Sequence, residues 1–249
     1  MAFFSYNPLI FILLMTSLIT PEEFKTGQVL LIDKPLEWTS FQVVNKVRWL
    51  IKQHCGFRKI KVGHAGTLDP LASGLLILCT GKFTKRIQEL QGLEKEYTGT
   101  FTLGSTTPSY DLETAVDATF PTAHITETML QKATASFTGE IQQYPPVFSA
   151  LKKGGKRLYE YARKGEKVKI DPRTIRISEF DLTRIAMPEV DFRVVCSKGT
   201  YIRSLAHDYG KSVDSGAHLS RLRRTRIGDQ LVADAMTIEQ FMTCLPPKK

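Results

Sequence analysis

The chain is organised around residues 63–74, whose sequence is GHAGTLDPLASG. This segment presents one carboxylate, Asp69, followed directly by Pro70. Proline restricts the residue before it to extended backbone, and the glycines of the segment allow a bulky ligand to approach the main chain. We therefore predict a rigid loop that holds an acidic side chain in one place. An isolated Asp-Pro pair is more often a turn with a solvated carboxylate.

Outward from this loop, the sequence predicts a mixture of strands and helices. Buried strands are predicted at residues 29–32 and 75–79, and strands with alternating apolar residues at 97–103, 174–185 and 190–196. A further strand is predicted at 219–227. Helices are predicted with a cap at Ser40 and an end at Gly56, from Thr126, over 157–164, over 202–209, and from Thr237, where Gln240 completes a capping box. Because these elements show no regular β-α-β rhythm, we predict an α+β fold with a large, mainly antiparallel sheet flanked by helices.

The charge of the chain predicts an anionic partner. The sequence has 249 residues, is 42% hydrophobic and carries a formal net charge of +9. This composition suits a folded domain, and nucleic acid is the commonest partner of a basic enzyme. Most of the excess positive charge lies in residues 145–173. This stretch is set between glycines and prolines, so we predict an insertion that leaves the sheet.

The cysteines indicate a reduced, cytoplasmic protein. Cys55, Cys79, Cys196 and Cys244 form no Cys-x-x-Cys pair and have no histidine at ligand spacing. A zinc site or a disulfide framework is therefore not expected. The sequence also lacks a phosphate-binding glycine-rich loop, a dinucleotide fingerprint and a His-Glu-x-x-His motif. We expect no metal and no cofactor.

The N-terminal residues 1–26 are interpreted as an extension. Residues 9–15 are strongly apolar but too short to span a bilayer, and no Lys or Arg precedes them. A membrane anchor is the less favoured interpretation. We hypothesise that Met15 is the true start, which the intact mass of the native protein would test. Residues 27–249 are then expected to form a single catalytic domain.

Residues 63–74 closely resemble the signature of the bacterial tRNA pseudouridine-55 synthases, the TruB family. Further matching blocks occur in the family's order: LLIDKP at 30–35, SALK at 149–152, LYEYAR at 158–163 and SKGTYIR at 197–203. The resemblance runs from about residue 27 to about residue 235. It implies the same α+β architecture, with residues 145–173 as an insertion that grips RNA. Members usually carry a further C-terminal PUA-type RNA-binding domain, which we expect to be absent because the sequence stops at Lys249.

The resemblance also implies roles for individual residues. Asp69 matches the catalytic aspartate, Tyr97 the tyrosine that packs on the target base, and Arg203 the arginine that pairs with the catalytic aspartate. Tyr201 and Leu222 match positions that line the pocket. By residue type alone, Tyr97 is more often a core residue of a strand, Arg203 a surface residue at a helix start, and Tyr201 and Leu222 ordinary core residues.

His64 matches a histidine that contacts RNA. A uridine in a folded tRNA arm must be flipped out before its sugar can be reached, and a planar side chain can occupy the vacated stack. By residue type alone, a histidine in a loop is more often a bystander.

The remaining basic residues are predicted to contact RNA phosphates. This set comprises Lys85, Lys152, Lys153, Lys156, Arg157 and Arg163. Their alternative role is a solvated charged face, and the salt dependence of RNA binding separates the two. The sequence departs from the family pattern at residues 106–111, where Pro108 and Tyr110 replace the more usual acidic and small residues, while Asp111 is retained.

The resemblance implies a cofactor-independent enzyme that isomerises uridine to pseudouridine at position 55 in the T-loop of tRNA, and the basic composition agrees with an RNA substrate. Its partner would be the tRNA T-arm, and a monomer is expected. Asp69 would act as the nucleophile, but the sequence leaves open whether it attacks the sugar or the base. Two rivals remain: an enzyme with the same chemistry on another RNA or in a guide-RNA complex, and a non-catalytic RNA-binding protein.

Overall fold

The computed structural model of the chain describes residues 18–166 and 168–248. The apolar residues 9–15 and the alternative start at Met15 lie outside the described residues. These described residues divide into two compact units, one formed by residues 18–93 together with 224–248, and the other by residues 94–166 and 168–223. In the part of the chain that is described, no helix is both long and apolar enough to cross a bilayer. The assignment of residues 27–249 to a single catalytic domain stays a prediction.

The elements of residues 18–93 belong to the first unit. In chain order they are α1 (Pro21–Thr26), β1 (Val29–Lys34), α2 (Ser40–Cys55), β2 (Val62–His64), β3 (Ala72–Thr80), a 3₁₀ helix (Gly81–Arg86) and α3 (Ile87–Gly92). Strand β3 is the centre of this group, because β1 and β2 both pair with it in antiparallel register. Leu31 lies opposite Ile77, and His64 lies opposite Leu78.

The elements of residues 94–223 form the second unit. They are β4 (Lys95–Leu103), β5 (Ser105–Thr106), β6 (Ala118–Thr119), α4 (Glu127–Phe137), β7 (Gly139–Gln143), β8 (Lys152–Lys153), β9 (Lys156–Arg157), α5 (Leu158–Arg163), β10 (Arg173–Ala186), β11 (Glu189–Cys196), α6 (Ile202–Ser212) and the first part of β12 (Ala217–Ile227). Within the unit the strands β4, β11, β10 and β7 are neighbours in that order, and each pair is antiparallel.

The chain returns to the first unit in the last part of β12. There it forms β13 (Gln230–Leu231), a 3₁₀ helix (Val232–Asp234) and α7 (Ile238–Thr243). The predicted capping box of Thr237 and Gln240 is present at the start of α7.

Each unit has its own apolar core. In the first unit Val43, Val47 and Ile51 recur at helical spacing on α2 and are fully buried in a cluster with Phe24 and Phe241. In the second unit, aromatic side chains of β4, β10, β11 and α6 pack together. The rings of Phe101 and Phe192 stack with centroids 4.1 Å apart.

The predicted α+β class with mainly antiparallel strands is confirmed. The predicted cap of α2 was wrong by one residue: the Thr39 side chain accepts from the Gln42 N–H, while Gln42 accepts from the Thr39 N–H. Gly56 ends this helix in the left-handed conformation, with φ 68°, as predicted. The sequence analysis missed α1 and β7, and also the β8–β9 hairpin inside the basic insertion. These elements are short or largely polar, so they lack the apolar periodicity that marks the others.

Candidate active site

Asp69 lies in the loop of residues 65–71, between β2 and β3, and its side chain is half-buried. Both ends of the loop are held by main-chain hydrogen bonds. The Ala65 N–H donates to the Ile77 carbonyl at 2.9 Å, and the Ala72 N–H donates to the Asp69 carbonyl at 3.1 Å. The segment that follows β1 also binds the loop, since the Glu37 N–H donates to the Pro70 carbonyl at 2.8 Å. Asp69 therefore occupies an irregular segment whose backbone is fixed on both sides.

Lys34 is a buried cation beside this loop. It ends β1 and is 0% exposed. Its ammonium donates to the carbonyls of Pro35, Trp38 and Pro70, so all of its donors are used. Burial lowers the pKa of Lys34 to about 8, the nearby Arg224 lowers it as well, and the Asp69 carboxylate opposes both.

Arg224 is a second buried cation, and it is 1% exposed. Its Nε donates to the Leu75 carbonyl at 2.7 Å and its Nη2 to the Gly66 carbonyl at 3.1 Å, while Nη1 lies 3.4 Å from the Thr67 carbonyl. The guanidinium thus ties the start of the Asp69 loop to β3. Gly74 permits this arrangement, because its φ is +105° and a Cβ there would lie 2.3 Å from the Arg224 carbonyl oxygen.

Ser40 fixes the residue before Asp69. Its hydroxyl donates to the Leu68 carbonyl at 3.1 Å and accepts from the Leu68 N–H at 2.8 Å. The side chain that the sequence suggested as a helix cap therefore satisfies both backbone groups of Leu68. The loop that carries Asp69 is therefore held by one hydroxyl and two buried cations, which bind the backbone of Leu68, Pro70 and Gly66.

His64 ends β2 and is half-buried. Burial lowers the pKa of His64, and the Arg224 guanidinium lowers it further, whereas the Gly66 backbone acts in the opposite direction. The Nδ1 atom is buried without a partner at hydrogen-bonding geometry among the described residues. The imidazole is therefore neutral at pH 7, which suits a planar side chain that stacks.

Arg203 lies in the second unit, at the start of α6, and is 4% exposed. It is therefore not the surface residue that its type alone suggested. Its Nε lies 3.6 Å from Oδ2 of Asp111, and its Nη1 donates to the carbonyls of Phe148 at 2.9 Å and Ser109 at 3.3 Å. The other oxygen of Asp111 accepts from the Glu113 N–H at 3.0 Å. The structure thus joins a buried arginine to a buried aspartate.

The other predicted pocket residues of this unit lie on three different elements. Tyr97 is buried on β4, opposite Val194, and Leu222 is half-buried on β12. Tyr201 precedes α6, and both of its main-chain polar groups bond to the Gln143 side chain, at 2.8 and 3.0 Å. The Arg173 guanidinium lies over the Tyr201 ring, 5.5 Å from its centroid.

The predicted phosphate-binding residues of the insertion lie on its hairpin and on α5. Lys152 and Lys153 pair with Arg157 and Lys156 across the β8–β9 hairpin, and all four are exposed. Lys153 also donates to the Lys169 carbonyl and to Asp171, and the guanidinium of Arg163 lies 3.8 Å from Glu113. Lys85 is exposed on the 3₁₀ helix of the first unit.

No cluster of three or more His, Cys, Asp or Glu side chains suited to a metal ion occurs among residues 18–166 and 168–248. The predicted site residues are divided between the units. His64, Asp69 and Lys85 lie in the first, and Tyr97, Tyr201, Arg203, Leu222 and the insertion lie in the second. The pairing of Asp69 with Arg203 stays a prediction.

Comparison with known proteins assigns the chain to a family. Residues 52–202 match the model described as TruB family pseudouridylate synthase (N terminal domain). The chain belongs to the TruB family. The resemblance drawn from residues 63–74 and the predicted enzyme class are confirmed.

Relatives of this TruB-family chain are similar over most of their length. The chain is 63% identical to a protein named tRNA pseudouridine synthase B from Flavobacterium johnsoniae, over 89% of this chain and 97% of the relative. It is 57% identical to a protein of the same name from Phocaeicola vulgatus, over 88% of this chain and 93% of that one.

Solved structures that resemble the chain are longer proteins. A Cbf5-Nop10-Gar1 complex matches with a TM-score of 0.65 and 28% identity, over 92% of this chain and 64% of the other. An archaeal box H/ACA sRNP Nop10-Cbf5 complex matches with a TM-score of 0.63 and 26% identity, over 89% of this chain and 54% of that chain. These likenesses agree with the α+β fold described above.

Sequence reasoning missed the roles of Lys34, Ser40 and Arg224 in this TruB-family chain. The one available signal was Lys34, a cation that closely follows a buried apolar strand. A lysine in such a position must find acceptors, because burying an unpaired charge is costly. Arg224 gave no comparable signal, since its neighbours Arg223 and Arg226 are also basic and the strand pattern does not single it out.

Proposed function

We propose that this chain isomerises a uridine of tRNA to pseudouridine, and that the uridine is the one at position 55 in the T-loop. The observation that carries the proposal is the fixed Asp69 loop, whose backbone is bound by Lys34, Ser40 and Arg224. An acid that must meet one sugar or base atom needs such a fixed position. The relatives named tRNA pseudouridine synthase B support tRNA as the substrate.

The reaction breaks the N1–C1′ bond of uridine and forms a C5–C1′ bond. The proton on C5 is released to water and N1 gains one, so atoms balance and no redox step is needed. Asp69 supplies the carboxylate that adds to the sugar or the base, or stabilises positive charge on the sugar.

In this proposal Arg203 orients the reacting groups by charge, and Tyr97, Tyr201 and Leu222 line the base pocket. A buried guanidinium that already binds Asp111 and two carbonyls has lost much of its conformational freedom. Its charge is therefore preorganised to attract a second carboxylate. Tyr97 supplies an aromatic face and a phenol that can act as an acid or base.

Loss of tritium from tRNA labelled at uridine C5 tests the proposal directly. Wild type should release the label, while Asp69→Asn, which keeps the shape but loses the charge, should lose activity by about 10⁴-fold or more. Asp229→Asn is the matched control, because Asp229 is an exposed aspartate of the same unit. Mapping the modified nucleotide then tests position 55. If wild type binds tRNA but releases no tritium, the RNA-binding rival replaces the enzyme.

His64 is proposed to fill the stack that the flipped uridine leaves. His64→Ala should then raise KM for tRNA by about tenfold, on the scale of one lost base stack, and lower kcat less. His54→Ala is the control, since His54 is a half-buried histidine of the same unit whose Nδ1 lies 2.7 Å from the Pro246 carbonyl. An unchanged KM for His64→Ala would show that His64 does not contribute to tRNA binding.

A further inference from the structure

Two rings in the second unit stack beside the Arg203–Asp111 ion pair. The centroids of Tyr110 and His207 are 3.9 Å apart, with an interplanar angle of 15°. Tyr110 directly precedes Asp111 in the chain, and His207 follows Arg203 by one turn of α6. The stack therefore joins the same two segments that the ion pair joins.

The backbone at Tyr110 explains why these segments meet. Its φ is 65°, a left-handed conformation that is uncommon for a residue with a large side chain. The turn is closed by the Tyr110 N–H, which donates to the Thr107 carbonyl at 3.1 Å, while the Tyr110 carbonyl accepts from the Leu219 N–H at 2.9 Å. Because the chain reverses here, the Ser109 carbonyl and the Asp111 carboxylate on either side of Tyr110 both face Arg203.

The surroundings of His207 suit a stacking role. Its ring is half-buried, and its Nδ1 has no hydrogen-bond partner within the described part of the chain. Burial lowers the pKa of His207 to about 4, Lys211 on the same helix lowers it further, and Asp117 opposes both. The imidazole is therefore neutral at physiological pH, and its contact with Tyr110 is a contact between two uncharged rings.

We infer that the Tyr110–His207 stack is a positioning pair that holds the Asp111 carboxylate against the Arg203 guanidinium during the isomerisation. Without the stack, the left-handed turn loses the contact that offsets its backbone cost, and Asp111 moves away from Arg203. Neither ring acts on the substrate itself in this inference. The effect of the stack on the rate of isomerisation rests on the proposed function, whereas its effect on the contact between Asp111 and Arg203 does not.

Ring-removing and ring-keeping variants separate positioning from folding. Tyr110→Gly retains a residue that accepts the left-handed turn but removes the ring, His207→Ala removes the partner ring, and His207→Phe keeps a ring. We expect both ring-removing variants to lower kcat for tritium release by about tenfold or more with little change in KM, because misplaced groups cost rate rather than binding. His207→Phe should restore most of kcat. The kcat of the double variant Tyr110→Gly, His207→Ala should be no lower than that of either single variant, because both substitutions remove the same ring contact.

A matched control is His124→Ala. His124 contacts the residue after α6 through its Nε2, which lies 3.0 Å from the Val213 carbonyl. Its loss should lower the melting temperature of the protein without lowering kcat. If His124→Ala lowers kcat as much as His207→Ala does, the effect of His207 is general destabilisation and the inference is wrong.

The Nε–H resonance of Arg203, identified by its loss in Arg203→Lys, gives a readout that does not need activity. It should shift in His207→Ala and in Tyr110→Gly and return towards the wild-type position in His207→Phe. If the resonance shifts in this way but wild-type protein releases no tritium, the positioning pair is supported and the proposed function is rejected. A full kcat in folded His207→Ala, or an unmoved resonance, would overturn the inference.

Discussion

The Asp69 loop and the basic insertion use cations in opposite ways. At the loop, Lys34 and Arg224 are 0% and 1% exposed, and their donors bind backbone carbonyls. In the insertion, Lys152, Lys156 and Arg157 are exposed on a short hairpin. A buried cation with satisfied donors fixes a backbone, because breaking its bonds leaves polar groups unpaired away from water. An exposed cation contributes little to folding and remains available to an anionic partner.

The largest effect is expected where a buried cation is removed. Arg224→Met keeps much of the side-chain volume but leaves the Leu75 and Gly66 carbonyls without their donor. We expect the free energy of unfolding in urea to fall by about 3 kcal/mol, with loss of activity as the Asp69 loop loosens. Arg226→Met is the control from the same strand, because Arg226 is half-buried and its Nη1 donates to the Gly228 carbonyl two residues away. If the free energy of unfolding falls equally in Arg224→Met and Arg226→Met, Arg224 has no particular role in holding the Asp69 loop.

The second effect concerns the pH dependence of stability. The folded-state pKa of Lys34 is about 8, lowered from 10.5. Between these values the unfolded chain binds the proton and the folded chain does not, so a rise in pH favours the folded state. The free energy of unfolding of wild type, relative to Lys34→Met, should therefore increase from pH 8 to pH 10, by at most about 1.4 kcal/mol per pH unit. Below pH 8 the difference should be constant, and a constant difference over the whole range would contradict the burial of this charge.

The smallest effect on folding is expected in the insertion. Lys156→Ala should change the free energy of unfolding by less than about 0.5 kcal/mol. It should weaken tRNA binding a few-fold and reduce the slope of log affinity against log salt concentration by about one, as expected for one lost phosphate contact. Lys132→Ala, at an exposed position of α4 outside the insertion, should leave the slope unchanged. If the slope of log affinity against log salt concentration is the same for wild type and Lys156→Ala, Lys156 contacts no phosphate and the insertion is better described as a solvated charged face.

The local features of the fold were predictable because neighbouring residues decide them. Alternation predicted the strands that became β4, β10 and β11, and helical spacing predicted the buried face of α6, with Ile202, Leu205 and Tyr209. The Pro70 that follows Asp69 and the nearby glycines indicated a fixed loop, and the family signature of the same residues indicated the reaction. Periodicity and backbone restriction need no knowledge of distant contacts.

The contacts that hold the candidate site residues in place could not be predicted from the sequence. The Arg224 guanidinium binds the carbonyl of Leu75, 149 positions earlier in the chain, and Arg203 binds that of Ser109, 94 positions earlier. Tyr110 and His207 stack although neither lies near the other in sequence. Local backbone preferences and apolar periodicity act over a few residues, so the sequence alone predicted the longer helices and strands and the fixed loop around Asp69, but not short or polar elements such as α1 and β7. Which cations are buried, which carbonyls they bind and which rings stack all follow from the tertiary structure, because these partners are brought together by packing between distant segments.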